Sequence, residues 1–193
     1  MDNIIIIDEV FNIDNIEEKD IVEEVRFINR RVGIYEINVL NTLTNLKKLY
    51  FIDSKLDNLE RLNIDIKTLY FDNCEIEEIL DINKFNLDEL FLENQDEIDL
   101  DDLGIIRNVN TLSFTNTKLL NEEKFIFMDK IVYLDLFNTG VKDLSIFMNM
   151  DNLKALVIDE EMAKANKEFV FYMIEKGINV VNDSNQSVVM YFD

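Results

Sequence analysis

The stretch Ile66-Lys67-Thr68-Leu69-Tyr70-Phe71-Asp72-Asn73-Cys74-Glu75-Ile76 carries apolar residues at its first, fourth, sixth and eleventh positions and a small polarisable residue, Cys74, at its ninth. Leu69 and Phe71 are two apart, so an extended backbone turns both to one side and Tyr70, between them, to the other. One strand of this kind cannot bury its apolar side alone. It requires copies of itself on either side.

The copies are present. Earlier in the chain stand Val22, Val25, Phe27 and Val32 with Arg30 at the ninth position, then Leu46, Leu49, Phe51 and Leu56 with Ser54. After the opening stretch come Leu87, Leu90 and Leu92 with Gln95, where Glu97 holds the eleventh position and the apolar residue slips to Ile98. That slip predicts a bulge or loop change. Val109, Leu112, Phe114 and Leu119 follow with Thr117, then Ile131, Leu134, Leu136 and Val141 with Thr139, and last Leu153, Leu156, Ile158 and Ala163. From Val25 to Leu156 the fourth-position residues are spaced 24, 20, 21, 22, 22 and 22 apart. Between strands, Val141, Leu144, Phe147 and Met150 recur every three residues, as do Ile76, Ile79, Ile82 and Phe85. A period of three predicts a 3₁₀ or loop-like return rather than a full α-helix.

The spacing LxxLxLxx(N/C)xL with a period settling at 22 resembles the leucine-rich repeats of internalin-like bacterial proteins, over Val22 to Ala163. The resemblance implies an α/β leucine-rich-repeat solenoid with about seven parallel strands on a concave side and a short 3₁₀ and loop convex side. One domain over 1–193 is expected, divided into an N-terminal cap (1–21), the repeats (22–163) and a C-terminal cap (164–193). Two departures stand out. Ser54, Cys74, Thr117 and Thr139 replace the family's usual ninth-position asparagine, so hydroxyl and thiol groups must satisfy the turn backbone. Neither the export signal nor the wall anchor of surface internalins is read in these residues, so an adhesin role is not expected.

At the ends, Ile4 to Ile7 reads as a short strand, and Asp14 with Glu17 three residues on reads as a helix start. Asp159 to Lys176 reads as one helix with Met162, Ala165, Phe169, Tyr172 and Met173 on one face and Gly177 as its stop. Ile178–Val181 and Val188–Phe192 read as a closing hairpin around Asn-Asp-Ser-Asn-Gln.

Composition narrows the function. Forty acidic against 19 basic residues give a net charge of −21, which repels nucleic-acid phosphates and anionic membranes and favours a basic protein partner. The single cysteine excludes an intrachain disulfide, and no apolar run is long enough for a leader, so a cytoplasmic setting is expected. With no histidine, tryptophan or proline and four glycines, the residue types of most catalytic and phosphate sites are scarce, so neither catalysis nor a cofactor is expected. The acidic run Asp96 to Asp102 lacks the spacing of a calcium loop and reads as a solvated loop, and Cys74 lacks a base to make it a nucleophile. The bias to Ile, Asn, Lys, Asp and Glu suggests an AT-rich bacterial or phage genome.

Seven strands about 4.8 Å apart present a surface on the order of 30 Å wide. Its fifth positions read Arg26, Tyr50, Tyr70, Phe91, Ser113, Asp135 and Val157, and its seventh Ile28, Ile52, Asp72, Glu93, Thr115, Phe137 and Asp159. The candidate protein-binding residues are therefore Arg26, Ile28, Lys48, Tyr50, Ile52, Lys67, Tyr70, Asp72, Phe91, Glu93, Asp135 and Phe137. Exposed aromatics framed by Asp53, Asp72, Glu89, Glu93, Asp135, Asp159 and Glu160 have the make-up of an interface hot spot. Two plainer readings stand beside it: aromatic neighbours stabilising adjacent strands, or a terminal segment folded over the face. The sequence thus implies a non-enzymatic, monomeric intracellular binding protein that occludes a basic partner. A toxin, which would make it an immunity protein, or a nucleic-acid-binding defence effector such as a CRISPR enzyme fits that description. The alternative is a structural or self-associating repeat protein.

Overall fold

The computed structural model describes residues 3–8, 10, 12–76, 82–104 and 106–192. Fourteen strands occur among them, each placed by the alternation read above: β1 (Ile4–Ile7), β2 (Glu24–Ile28), β3 (Arg31–Val32), β4 (Lys48–Ile52), β5 (Lys55–Leu56), β6 (Thr68–Asp72) and β7 (Glu75–Ile76). Then come β8 (Glu89–Glu93), β9 (Glu97–Asp99), β10 (Thr111–Ser113), β11 (Lys118–Leu120), β12 (Tyr133–Asp135), β13 (Ala155–Val157) and β14 (Asn179–Val181). The large sheet has the order β1-β2-β4-β6-β8-β10-β12-β13-β14, and β3-β5-β7 and β9-β11 form small sheets of their own. This is the leucine-rich-repeat architecture: each repeat lays one strand beside the last and returns by a loop or short helix. The expected seven strands become nine because β1 adds to β2 and β14 to β13, both in parallel.

Register follows the repeat. Val25 pairs with Leu49 and Leu49 with Leu69, while Leu112 pairs with Leu134 and Leu134 with Leu156, and all of them are buried. The chain groups into two compact units, Met1–Phe91 and Leu92–Asp193, and β8 runs across the division. In the first unit Phe27, Phe51 and Phe71 stack with ring centroids 5.5 and 5.4 Å apart. In the second, Phe114, Phe125 and Phe147 meet edge to face at 6.0 and 5.2 Å.

Six of the seven repeats bend after the strand at a left-handed eighth residue: Asn29, Asp53, Asn73, Asn94, Asn116 and Asn138, with φ of 49° to 56°. Asparagine tolerates this conformation better than other residues bearing a side chain. Its amides also link the turns, Asn73 donating to Asp53 at 2.6 Å in the first unit, and Asn116 to Asn94 and Asn138 to Asn116 at 2.9 and 3.0 Å in the second. Ninth-position groups fill the space behind. The Ser54 hydroxyl donates to the Ile52 carbonyl and accepts from the Arg30 amide, and the Cys74 thiol donates to the Phe51 carbonyl. Thr117 donates to the Leu92 carbonyl and accepts from the Gln95 amide.

The returns match the spacings. The longest interval, 24 residues, holds helix α1 (Ile34–Leu40), which the period of three did not predict, whereas the 20-residue interval has room only for a 3₁₀ turn at Leu59–Arg61. Further 3₁₀ turns lie at Ile82–Lys84, Glu122–Phe127 and Leu144–Phe147; Ile79 is outside the described residues. The slip at Ile98 is a one-residue insertion. Ile98 pairs with Leu119, yet Asn94 still meets Asn116, so Asp96 is the extra residue, and a one-turn helix α2 (Leu100–Leu103) follows.

The ends depart further from expectation. No helix starts at Asp14: only Ile13 and Ile16 are buried there, and Asn12 caps a 3₁₀ turn at Ile13–Asn15. The C-terminal helix is broken into α3 (Glu160–Ala165) and α4 (Lys167–Glu175). At the break the Asn166 side chain accepts from the Leu144 amide and donates to the Lys142 and Met162 carbonyls, tying the helices to the preceding return. The buried face is consequently Met162, Ala163, Val170 and Met173, with Ala165 exposed. Of the expected hairpin only one antiparallel bridge, Val181 to Ser187, forms, and its second strand does not. β14 pairs in parallel with β13, and Val188–Phe192 is a 3₁₀ helix in which only Val188 is buried, a spacing no strand could use. Among the described residues no helix is long and apolar enough to cross a membrane.

The ladder can be tested at Thr117. Thr117→Val keeps the shape but deprives a buried carbonyl and amide of their partner, so unfolding stability should fall by about 1–3 kcal/mol. Thr139→Val, where the hydroxyl donates only to the Leu136 carbonyl, should cost less. Urea denaturation midpoints measure both.

Candidate functional site

Alternation that sends Leu49 and Leu69 into the core sends the third, fifth and seventh positions to the open face of the sheet. In the first unit the fifth positions form one continuous column. The Arg26 guanidinium carbon lies 4.8 Å from the Tyr50 ring centroid, Tyr50 packs on Tyr70 at 5.4 Å, and Tyr70 on Phe91 at 5.4 Å. All four side chains are half-buried, so the rings cover each other's flanks and leave their outer faces to solvent. Cross-strand stacking therefore accounts for part of the stripe, as the plainer reading held, without hiding it.

Third positions flank this column. Glu24, only 7% exposed, accepts from Arg26 Nε at 2.6 Å and so holds the guanidinium over Tyr50; sequence reasoning did not single it out. Glu89 accepts at 2.8 Å from the hydroxyl of buried Thr68. Lys48 is exposed between them in the same row. Burial raises the Tyr50 hydroxyl above its ordinary pKa, with Glu24 and Glu89 adding to the effect and Arg26 opposing it. On the other flank Ile28, Ile52 and Asp72 are half-buried, giving an apolar margin that ends in a carboxylate. Lys67 is turned to the strand's N-terminal edge, donating to the Asn86 carbonyl at 3.0 Å and pairing with Asp65 at 3.3 Å.

The open face of the second unit is polar. Ser113, fully buried, donates to Glu93 at 2.6 Å, and Asp135 accepts from the Phe137 amide at 2.9 Å. Phe137 is half-buried beside Asp135. Burial raises the Asp135 carboxyl; the Phe137 amide and Thr115 hydroxyl pull it down, while the charges of Glu93 and Asp183 push it up. Burial raises the Tyr133 hydroxyl too, with Asp135 and Glu93 adding to it.

Several residues of the expected acidic frame serve the fold. Asp53 accepts the Asn73 amide, and Asp159 caps α3 through the Met162 amide while accepting from the Asn138 amide. Asn73 and its equivalents likewise bond sideways along the turns. The signal was in the sequence, where Asn or Asp holds the eighth position in six consecutive repeats. Among the described residues no group of three carboxylate or thiol side chains is placed to hold a metal ion.

Two titrations probe these environments. Burial lifts Cys74 from about 9 to about 11, so at pH 8 alkylation of the native thiol should be slower than in urea by on the order of 100-fold, the ratio of thiolate populations. For Asp135, a raised carboxyl binds its proton more tightly in the native chain than in the unfolded one. Its contribution to stability is therefore full at low pH and lost as pH rises through the raised value. Asp135→Asn should stabilise the protein at pH 7, a gain that shrinks as the pH is lowered toward about 4.

No family model matches the sequence, and no curated protein matches it. Among solved structures an internalin, InlF from Listeria monocytogenes str. 4b F2365, is similar at 11% identity and a TM-score of 0.36, over 83% of this chain and 67% of that one.

Proposed function

We propose that this chain is a non-enzymatic protein-binding module that takes a basic protein partner on the open face of its sheet. The observation that supports it most is the column Arg26-Tyr50-Tyr70-Phe91, a row of ring faces left to solvent on a rigid sheet. Such rings lose little entropy on binding and carry much of the energy of interfaces. The net charge of −21 steers a basic partner to the protein and repels nucleic acid and anionic lipid. Glu93, Asp135 and Phe137 offer a more polar contact area in the second unit. A reducing, cytoplasmic setting goes with this reading, since the thiol of Cys74, the chain's one cysteine, is used inside the turn ladder.

In its narrower form the proposal is an inhibitor that covers the basic working surface of its target. A toxin would make it an immunity protein, and a nucleic-acid-binding defence enzyme would make it an antagonist of that defence. Its support is the pairing of an excess of acid with a contact stripe. A second reading, self-association, has one observation of its own: among the described residues β1 ends the sheet, and open edges invite pairing, with Ile4 and Ile6, 45% and 46% exposed, standing on the open face beside Glu24 and Arg26.

Capture from bacterial lysates on immobilised protein should retain basic proteins, and Tyr70→Ala and Phe91→Ala should each weaken retention by ~30-fold, the effect of a hot-spot truncation of about 2 kcal/mol. Retention unchanged in both variants overturns the assignment of the face. Light scattering across concentrations separates the second reading, which requires oligomers that Ile6→Lys dissolves.

A further inference from the structure

The open face of the first unit already contains one bound guanidinium, its own. Arg26 is stacked on Tyr50 and gripped at 2.6 Å by Glu24, a carboxylate made effective by burial. The same ingredients recur three strands along. The amides of Thr68 and Glu89 donate to the Lys47 and Lys67 carbonyls in the same way, which puts Glu89 in the row of Glu24. Two residues along the same strand, and so on the same face, stands Phe91, packed on Tyr70. What differs is the cation: the fifth position of β8 is Phe91, not arginine, and among the described residues no lysine or arginine pairs with Glu89. Thr68 holds one oxygen of this carboxylate in place.

We infer that Glu89, with the ring pair Tyr70 and Phe91, is a seat for a guanidinium, an arginine side chain supplied by the partner protein. This rests on the open face being the binding surface. A planar guanidinium can lie on a ring and meet a carboxylate edge-on at once, which a lysine ammonium cannot do as well. Lys48 stands two strands from Glu89, about 10 Å away, where salt screens much of its repulsion. Thus the seat selects arginine over lysine, a distinction that net charge alone does not make.

The probes are hexa-arginine and hexalysine peptides, titrated calorimetrically into the full chain at 150 mM salt. Hexa-arginine should bind more tightly than hexalysine, and Glu89→Gln should weaken hexa-arginine by ~5- to 10-fold, the scale of a partly exposed cation–π and ion-pair contact. Glu168→Gln, which removes an exposed carboxylate on α4, should change it by less than about 2-fold. Equal weakening by the two variants, or equal affinity for the two peptides, overturns the seat and leaves only diffuse attraction. Denaturation midpoints establish that both variants are folded. Capture of basic proteins separates the two levels of the proposal: retention lost in Tyr70→Ala but kept in Glu89→Gln overturns the seat alone, and retention kept in both overturns the binding face itself.

Discussion

Everything in this fold hangs on how the chain turns a corner after each strand. A parallel strand must be followed by a return, and the return begins with a backbone that points its peptide groups into a space water does not reach. Here one left-handed residue makes the bend, and in four of the repeats a hydroxyl or thiol in the next position, on Ser54, Cys74, Thr117 or Thr139, takes up the peptide groups behind it. Glycine would serve the bend at an entropic cost, and this chain has only four. Asparagine and aspartate do the work instead, and because their side chains reach the equivalent residue of the neighbouring turn, the device that bends one repeat also fixes its distance from the next.

From that fixed register the two faces follow. With Leu49 opposite Leu69 and Phe51 opposite Phe71, the residues between them have no choice but to stand in rows on the other side. One row became the Arg26-Tyr50-Tyr70-Phe91 column, and its neighbour set Glu24 against Arg26. The phenylalanine stack inside and the aromatic column outside are products of the same pairing. They differ in the solvent they meet, and hence in whether they hold the fold or remain available to another molecule.

The period of the apolar residues was enough to read the repeats, because a one-residue error would move every buried side chain to the wrong face. Ninth-position chemistry was legible too, since Ser54, Cys74 and Thr117 were the small polar groups at a place that needed them. Asparagine's place was not read, although the column of eighth-position Asn and Asp was visible, because the familiar pattern puts that residue one position later. The ends resisted for a different reason: they repeat nothing. Asn166 breaks a helix that its flanking residues would continue, for the sake of hydrogen bonds to Lys142 and Leu144 that no local pattern reveals. In the site, the ring column could be listed from the spacing, but the grip of Glu24 on Arg26 depends on burial and side-chain reach, which spacing does not encode.

Among the described residues β1 pairs with β2 alone, and that has a consequence for the ring column. In a repeat array stability passes only between nearest neighbours, so opening propagates inward from an end, one rung at a time. β1 has a single neighbour and keeps two of its four isoleucines half in water. Ile6 stands beside Arg26 in the same row of the open face, so fraying of β1 bares the Arg26 end of the ring column first, while Arg26 itself is lost only when the second rung goes.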